Sequence, residues 1–215
     1  LIKNQTLTGQ SPKDVLMTVN NQLCENNQAQ MFVTVWLGIL DLATGKLVAA
    51  NAGHEYPALR QANGDFQLYK DKHGFVLAGM EQTKYREYEL QLSPGDTLFV
   101  YTDGVPEATD ETEQLYGTAR MLRALNAPGN NSPEELVKRV QKDMDSFVGD
   151  ATQFDDITML VMTYHGLQGK HENKKSIILP TVRENWDRVS EFLETALDEK
   201  QFPIKSKMKL LIAVE

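Results

Sequence analysis

Ser93-Pro94-Gly95-Asp96-Thr97-Leu98-Phe99-Val100-Tyr101-Thr102-Asp103-Gly104 is the stretch on which the fold turns. Ser-Pro-Gly-Asp has the composition of a reverse turn, with proline presetting φ and glycine free to take a left-handed conformation. Thr97 to Tyr101 is a run of β-branched and aromatic residues with one leucine, bounded by turn residues, the pattern of a buried strand. An aspartate, Asp103, leaves the end of that strand.

Upstream, Tyr85–Leu92 reads as the strand feeding the turn, and Phe66–Tyr69 as another. Met31 to Leu40 and Lys46 to Ala50, separated by Leu42-Ala43-Thr44-Gly45, read as a hairpin. Ser11-Pro12 is an N-cap followed by an N1 proline, starting a helix through about Glu25 with Val15, Leu16, Val19 and Leu23 on its apolar stripe. Downstream, helices are predicted near Thr118–Leu125 and Pro133–Phe147, the second with Ser132 and Glu135 as a capping box. Ile157 to Tyr164 reads as a last buried strand. Strands joined by short turns and flanked by helices predict an α+β domain built from layered antiparallel sheets, not a doubly wound parallel one.

The composition agrees. The 215 residues are 41% hydrophobic and 24% charged, an ordinary globular balance that excludes disordered and collagen-like chains. Twenty-two Lys+Arg against 30 Asp+Glu give a net charge of −8, which argues against a nucleic-acid binder relying on broad positive charge. One cysteine, Cys24, permits no internal disulfide and fits a reducing, cytoplasmic setting. No apolar run approaches the ~20 residues of a membrane span, and no signal peptide opens the sequence.

Charge also divides the chain. Residues 1–165 carry 13 Lys+Arg and 22 Asp+Glu, whereas 166–215 carry 9 and 8. The change falls in the polar stretch 166–175, Gly-Leu-Gln-Gly-Lys-His-Glu-Asn-Lys-Lys, which reads as a linker. Beyond it, Ser176–Pro180 reads as a short strand. Arg183–Glu199 reads as an amphipathic helix with Trp186, Val189, Phe192, Leu193 and Ala196 on one side, and Ile204–Glu215 as the beginning of a second helix.

Two acidic spots draw attention through their placement. Asp103 follows one strand and Asp155-Asp156 precede another. If the two strands are antiparallel neighbours, all three carboxylates share one sheet edge. Clustered carboxylates repel and take up protons unless a cation sits among them, and hard cations take such all-oxygen settings. Asn51-Ala52-Gly53-His54 leaves the hairpin toward the same edge. Singly, each is more often structural: Asp103-Gly104 as a turn, Asp155-Asp156 as a solvated loop or cap, His54 as a hydrogen-bonded loop histidine. Cys24 reads as packing, and Asp110-Glu111-Thr112-Glu113 as an exposed loop.

Taken in series, Phe32-Val33-Thr34-Val35, Asn51-Ala52-Gly53-His54, Pro94-Gly95-Asp96, Tyr101-Thr102-Asp103-Gly104-Val105-Pro106-Glu107-Ala108 and Asp155-Asp156-Ile157-Thr158 resemble the PPM-type phosphatases, the protein phosphatase 2C superfamily. The branch they resemble is that of the bacterial stage II sporulation protein E and sigma-B regulator phosphatases. The resemblance covers residues 1–165. It implies an α-β-β-α sandwich and a two-metal Mg²⁺ or Mn²⁺ site acting on phosphoserine or phosphothreonine. Carried over, it makes Asp103 and Asp155 metal ligands, with Asp156 where relatives carry Asp or Asn. Asn51, His54 and Gly104 fall at the edge of the site. The substrate it implies is a phosphorylated anti-sigma-factor antagonist in partner switching, with a homodimer as one assembly. The alternative is a non-catalytic interaction module on the same fold.

The family's Gly-Gly-Asp and Asp-Val-Ser-Gly-His-Gly motifs do not occur in these 215 residues. Two aspartates are too few for a pair of ions that each take about six oxygens. The expectation is therefore an N-terminally truncated phosphatase domain, inactive as it stands. The segment 176–215 resembles the start of the histidine-kinase-like ATPase fold of anti-sigma-factor kinases, which implies a sigma factor as a further partner. A helical dimerisation segment is the alternative.

Overall fold

The computed structural model describes residues 1–166, except 7, 26, 153 and 154, together with the backbone of 209–214. The described elements run α1 (Ile2–Thr6), α2 (Pro12–Cys24), β1 (Val35–Asp41), β2 (Lys46–Ala52), β3 (Ala58–Arg60), β4 (Gln67–Leu68), β5 (Glu87–Gln91), β6 (Thr97–Tyr101), α3 (Gly117–Leu125), α4 (Pro133–Val148), β7 (Met159–Thr163) and β8 (Lys209–Val214). One sheet has the order β5-β2-β1-β8 and the other β4-β3-β6-β7. Every pairing between these strands is antiparallel.

Burial explains why β6 reads as a continuous apolar run rather than an alternating one. Leu98 and Val100 point between the sheets, where they meet Trp36, Leu40, Leu47 and Ala49. Phe99 and Tyr101 point the other way, into a cluster with Met121 and Leu125 of α3 and Leu136, Val140 and Met144 of α4. A strand covered on both faces has no side free for polar residues. The first sheet is built alike. Val35 and Leu37 of β1 and Ala50 and Ala52 of β2 pack on Val15, Leu16 and Val19 of α2. The result is a four-layer order of α2, first sheet, second sheet, then α3 with α4.

Local signals set the helix ends. Ser132 caps α4 by accepting from the backbone N–H of Glu135 at 3.4 Å. Ser11, before Pro12, instead donates its hydroxyl to Asp14 Oδ2 at 2.7 Å. Among the described residues no helix is long and apolar enough to cross a membrane.

Three expectations change and one sharpens. The first strand begins at Val35, not Met31; before it only Val33 pairs, with Leu77. The turn at Ser93–Asp96 joins β5 to β6 as read, but the two strands belong to different sheets, so the turn carries the chain between layers. The strand β3, unforeseen, stands between β4 and β6. Finally, Lys209–Val214 is a strand, not part of a helix over 204–215, and pairs with β1 from Trp36↔Val214 to Asp41↔Lys209. Leu210-Leu211-Ile212-Ala213-Val214 is an apolar run that can satisfy the backbone groups a bare β1 edge would leave unpaired. The expected strand at 176–180 and helix at 183–199 lie outside the described residues.

Candidate active site

β6 and β7 pair antiparallel, ending at Tyr101↔Met159, so the residues after 101 and before 159 leave the sheet at one edge. Thr102 extends the pairing with its backbone and its side chain. Its N–H donates to the Thr158 carbonyl at 3.0 Å. Its hydroxyl accepts from the Thr158 N–H at 2.9 Å and donates to the Asp156 carbonyl at 3.1 Å. The Asp103 backbone is thereby fastened to the Asp155-Asp156 loop. Asp103, Asp155 and Asp156 are all exposed there. The Asp156 N–H donates to Asp155 Oδ1 at 2.7 Å, which orients that carboxylate on its own loop.

Gly104 completes the contact. A Cβ at this position would lie 2.5 Å from the Asp156 carbonyl oxygen and 3.1 Å from its carbon, both backbone atoms that cannot swing aside. Replacing Gly104 with Ala should therefore push the two acidic loops apart, at a cost of about 1–3 kcal/mol. A melting temperature lowered by several degrees checks this; an unchanged one would show that the loops are not packed this closely.

The third element is the turn after β2, Asn51 to His54. Asn51 is 1% and His54 4% exposed. The Asn51 amide brackets the turn from inside: Nδ2 donates to the His54 carbonyl at 3.0 Å and Oδ1 accepts from the His54 N–H at 2.8 Å. Gly53 holds φ at 74°, and a Cβ on it would meet Val76 Cγ1 at 2.7 Å. Nδ1 of His54 lies 3.1 Å from the Thr34 hydroxyl, and its Nε2 is buried with no hydrogen-bond partner. Burial pushes this imidazole down from 6.5 to about 4, while the Asp103 carboxylate and the Tyr101 carbonyl pull the other way. His54 and Asp103 are thus electrostatic neighbours. Burial also raises the Glu55 carboxyl, and the Asp103 and Glu107 carboxylates raise it further.

Carboxylate oxygens on a water-facing edge are donors of the kind that hard cations take. Among the described residues no group of three or more His, Cys, Asp or Glu is arranged to hold a metal by itself. Cys24 is half-buried, with its Sγ 4.0 Å from Asn20 Oδ1, away from this edge.

Sequence reasoning missed the Thr102 hydroxyl, although the residue stood inside a quoted motif, and it missed Glu55, Asp71 and His73. Asp71 is the least expected of them, a carboxylate whose side chain is 1% exposed. It sits in the polar stretch Lys70-Asp71-Lys72-His73, where nothing in the sequence signals burial.

Paired antiparallel sheets between helical layers, with an acidic edge where β6 and β7 end, make this the fold of PP2C phosphatase domains. The solved structure of the RsbU and RsbW domains of Rv1364c from Mycobacterium tuberculosis superposes with a TM-score of 0.63 at 19% identity, covering 90% of this chain and 53% of that one. The PP2C domain of Bacillus subtilis SpoIIE, solved with a fragment of its regulatory domain, gives 0.62 at 19% identity over 74% of this chain and 47% of that one. The family model of stage II sporulation protein E (SpoIIE) matches residues 1–165, and the chain belongs to that family. Among curated relatives, phosphoserine phosphatase RsbU of Bacillus subtilis is 26% identical over 156 residues, 72% of this chain and 46% of that protein. Protein IcfG of Synechocystis is 29% identical over 138 residues, 64% of this chain and 22% of that protein. The chain thus spans less than half the length of either curated relative.

Proposed function

We propose that this chain carries the core of a metal-dependent protein serine/threonine phosphatase. Its substrate would be a phosphoserine or phosphothreonine on an anti-sigma-factor antagonist in partner-switching signalling. The observation that carries this reading is the double hydrogen bond of the Thr102 hydroxyl, which ties the Asp103 loop to the Asp155-Asp156 loop. The homologous RsbU is a phosphoserine phosphatase, which supports the substrate class.

Asp103 and Asp155 would hold Mg²⁺ or Mn²⁺, with Asp156 beside them. When bound, such ions activate water and neutralise charge on the phosphoryl group. The chain's own contribution is placement. Thr102 and Gly104 set the spacing of the acidic loops, and Asn51 and Gly53 fix the turn that carries His54. For residues 176–215 the kinase-like ATPase reading, with a sigma factor as its partner, is a proposal whose second helix is replaced over Lys209–Val214 by a strand on β1. Coverage of 90% of the chain by a structure with RsbU and RsbW domains supports it.

The test is dephosphorylation of a phosphoserine protein by the full-length protein in Mn²⁺. Metal-dependent turnover upholds the enzyme, whereas specific binding of the phosphoprotein without turnover would favour the interaction module. A chain of these 215 residues alone should bind Mn²⁺ weakly and hydrolyse p-nitrophenyl phosphate negligibly, because two aspartates cannot complete two octahedral shells. Robust Mn²⁺-dependent turnover by that chain would show that it holds the full ligand set.

A further inference from the structure

One end of the sandwich gathers the strand ends that carry the acidic loops. β1 begins and β2 ends there in the first sheet, where Val35 faces Ala52. Residues 53–57 cross to β3, which begins at Ala58 opposite Phe99, two residues before β6 ends. Asp103 follows β6, so the residues just before Val35 emerge at the same end of the molecule as the acidic loops. The Thr34 hydroxyl meets His54 there. One residue earlier, Val33 exchanges backbone hydrogen bonds with Leu77 at 3.1 and 2.9 Å. Asn27 Nδ2 donates to the carbonyls of Met31 at 2.6 Å and Ala78 at 3.1 Å. Residues 31–33 and 75–80 are thus held side by side. The Phe75 ring lies over Gly79, where an added Cβ would meet Cε1 at 2.5 Å.

Their outward side is apolar. Met31, Phe32, Phe75 and Met80 are 55–70% exposed. With Val33 they make five of the seven exposed large apolar side chains among the described residues, so these are concentrated rather than scattered. Single exposed apolar residues are ordinary, whereas a concentration of them marks a surface that another molecule covers. The charge beside it has the opposite sign to that of the chain. Residues 69–86 hold four Lys+Arg and two Asp+Glu, in a protein of net charge −8, and one of those acids, Asp71, has its side chain buried. Lys70 and Lys72 are exposed, and among the described residues no ion pair holds either. An apolar face flanked by cations suits a protein surface that is itself apolar and anionic. A phosphoserine supplies that anion, and only a protein reaches from the acidic loops onto this face.

We propose that the face formed by Met31, Phe32, Phe75 and Met80, flanked by Lys70 and Lys72, docks the phosphoprotein substrate and selects it. This rests on the phosphatase reading above and adds to it a recognition surface apart from the acidic loops. The partner is a folded protein with an apolar patch beside an anionic one that includes its phosphoserine. Apolar contact holds it, and the lysines speed its approach. The phosphoryl group is then presented to the acidic loops at the same end of the sandwich. p-Nitrophenyl phosphate and a short phosphoserine peptide cannot cover the face and gain nothing from it.

The test compares the full-length protein with its Phe32→Ser and Lys72→Glu variants, both at exposed positions where folding is spared. The probe is a folded anti-sigma-factor antagonist phosphorylated on serine, set against a short peptide copied from around that serine and against p-nitrophenyl phosphate. In EDTA, where no metal supports turnover, Phe32→Ser should bind the phosphoantagonist about 30-fold more weakly, the scale of an aromatic hot spot. In Mn²⁺ its KM for the phosphoantagonist should rise by a similar factor at unchanged kcat. On the peptide and on p-nitrophenyl phosphate, kcat/KM should stay within about twofold. Lys72→Glu should lose about tenfold in kcat/KM on the phosphoantagonist at about 0.05 M salt and less than about threefold at about 0.5 M. Equal losses on all three substrates, or unchanged binding of the phosphoantagonist, overturn the proposal and leave the phosphatase reading intact. A dimer that Phe32→Ser dissociates, with antagonist binding unchanged, assigns the face to a second copy and overturns it as well. If the unaltered full-length protein is inert on all three substrates, the phosphatase reading falls, and the binding comparison alone then decides the docking face.

Discussion

Asp103→Asn, in a form of the protein that carries the family's N-terminal motifs, should lose about 1,000-fold in Mn²⁺-dependent dephosphorylation of a phosphoserine protein. Asparagine keeps the shape and one oxygen donor but removes the negative charge that a dication needs beside it. At ~1.4 kcal/mol for each tenfold, the loss corresponds to about 4 kcal/mol of transition-state stabilisation. Folding should be spared. The backbone carbonyl of Asp103 accepts from the Glu107 N–H at 2.9 Å, a bond asparagine retains. Without metal, removing one of the neighbouring carboxylates Asp103, Glu107 and Glu55 relieves repulsion, so the melting temperature should hold or rise slightly. Asp110→Asn is the control. Oδ1 of Asp110 accepts from Thr112 N, Thr112 Oγ1 and Gln114 N at 2.8, 2.7 and 3.0 Å, and an asparagine oxygen can accept the same three bonds. Near-normal activity of Asp103→Asn would reduce Asp103 to a turn residue.

The features legible in the sequence are those set by neighbours along the chain. The capping residue Ser132, the Leu42–Gly45 turn and the apolar run of β6 each state their structure within a few residues, and each appears as read. The sharing of one edge by Asp103 and Asp155-Asp156 followed from a single assumption, that β6 and β7 are antiparallel neighbours. Features set across the fold were hidden. β3 is three residues long, too short for any periodicity to show, yet it stands between two other strands. The Ser93–Asp96 turn has hairpin composition, and only the stacking of two sheets makes it a crossing between layers. Asp71 and His73 lie among lysines in a stretch that reads as solvated, and Asp71 becomes buried only because the 69–77 stretch folds onto Asn51. Asp110, read as part of an exposed loop, is half-buried and organises the turn around it.

His54 makes the stability of the fold depend on pH in a window where few other groups titrate. Its imidazole is held down at about 4 by burial, against an ordinary value of 6.5 in the unfolded chain. Above 6.5 the group is neutral in both states and its contribution is fully present. As the pH falls from 6.5 toward 4, the unfolded chain takes up a proton that the folded chain refuses, so stability declines. Below about 4 both states are protonated and this group adds no further loss. At 1.36 kcal/mol for each pH unit, the decline comes to about 3 kcal/mol. Urea unfolding of the metal-free protein between pH 7.5 and 4.5 should show most of that fall, and His54→Gln should flatten it. Proton NMR of the folded protein checks the cause directly, since the His54 ring resonance should stay neutral at pH 5.5, where a solvent-exposed histidine is already largely charged. A His54 ring that titrates near 6.5 would mean that water reaches Nε2. The acid sensitivity would then have to come from elsewhere in the molecule.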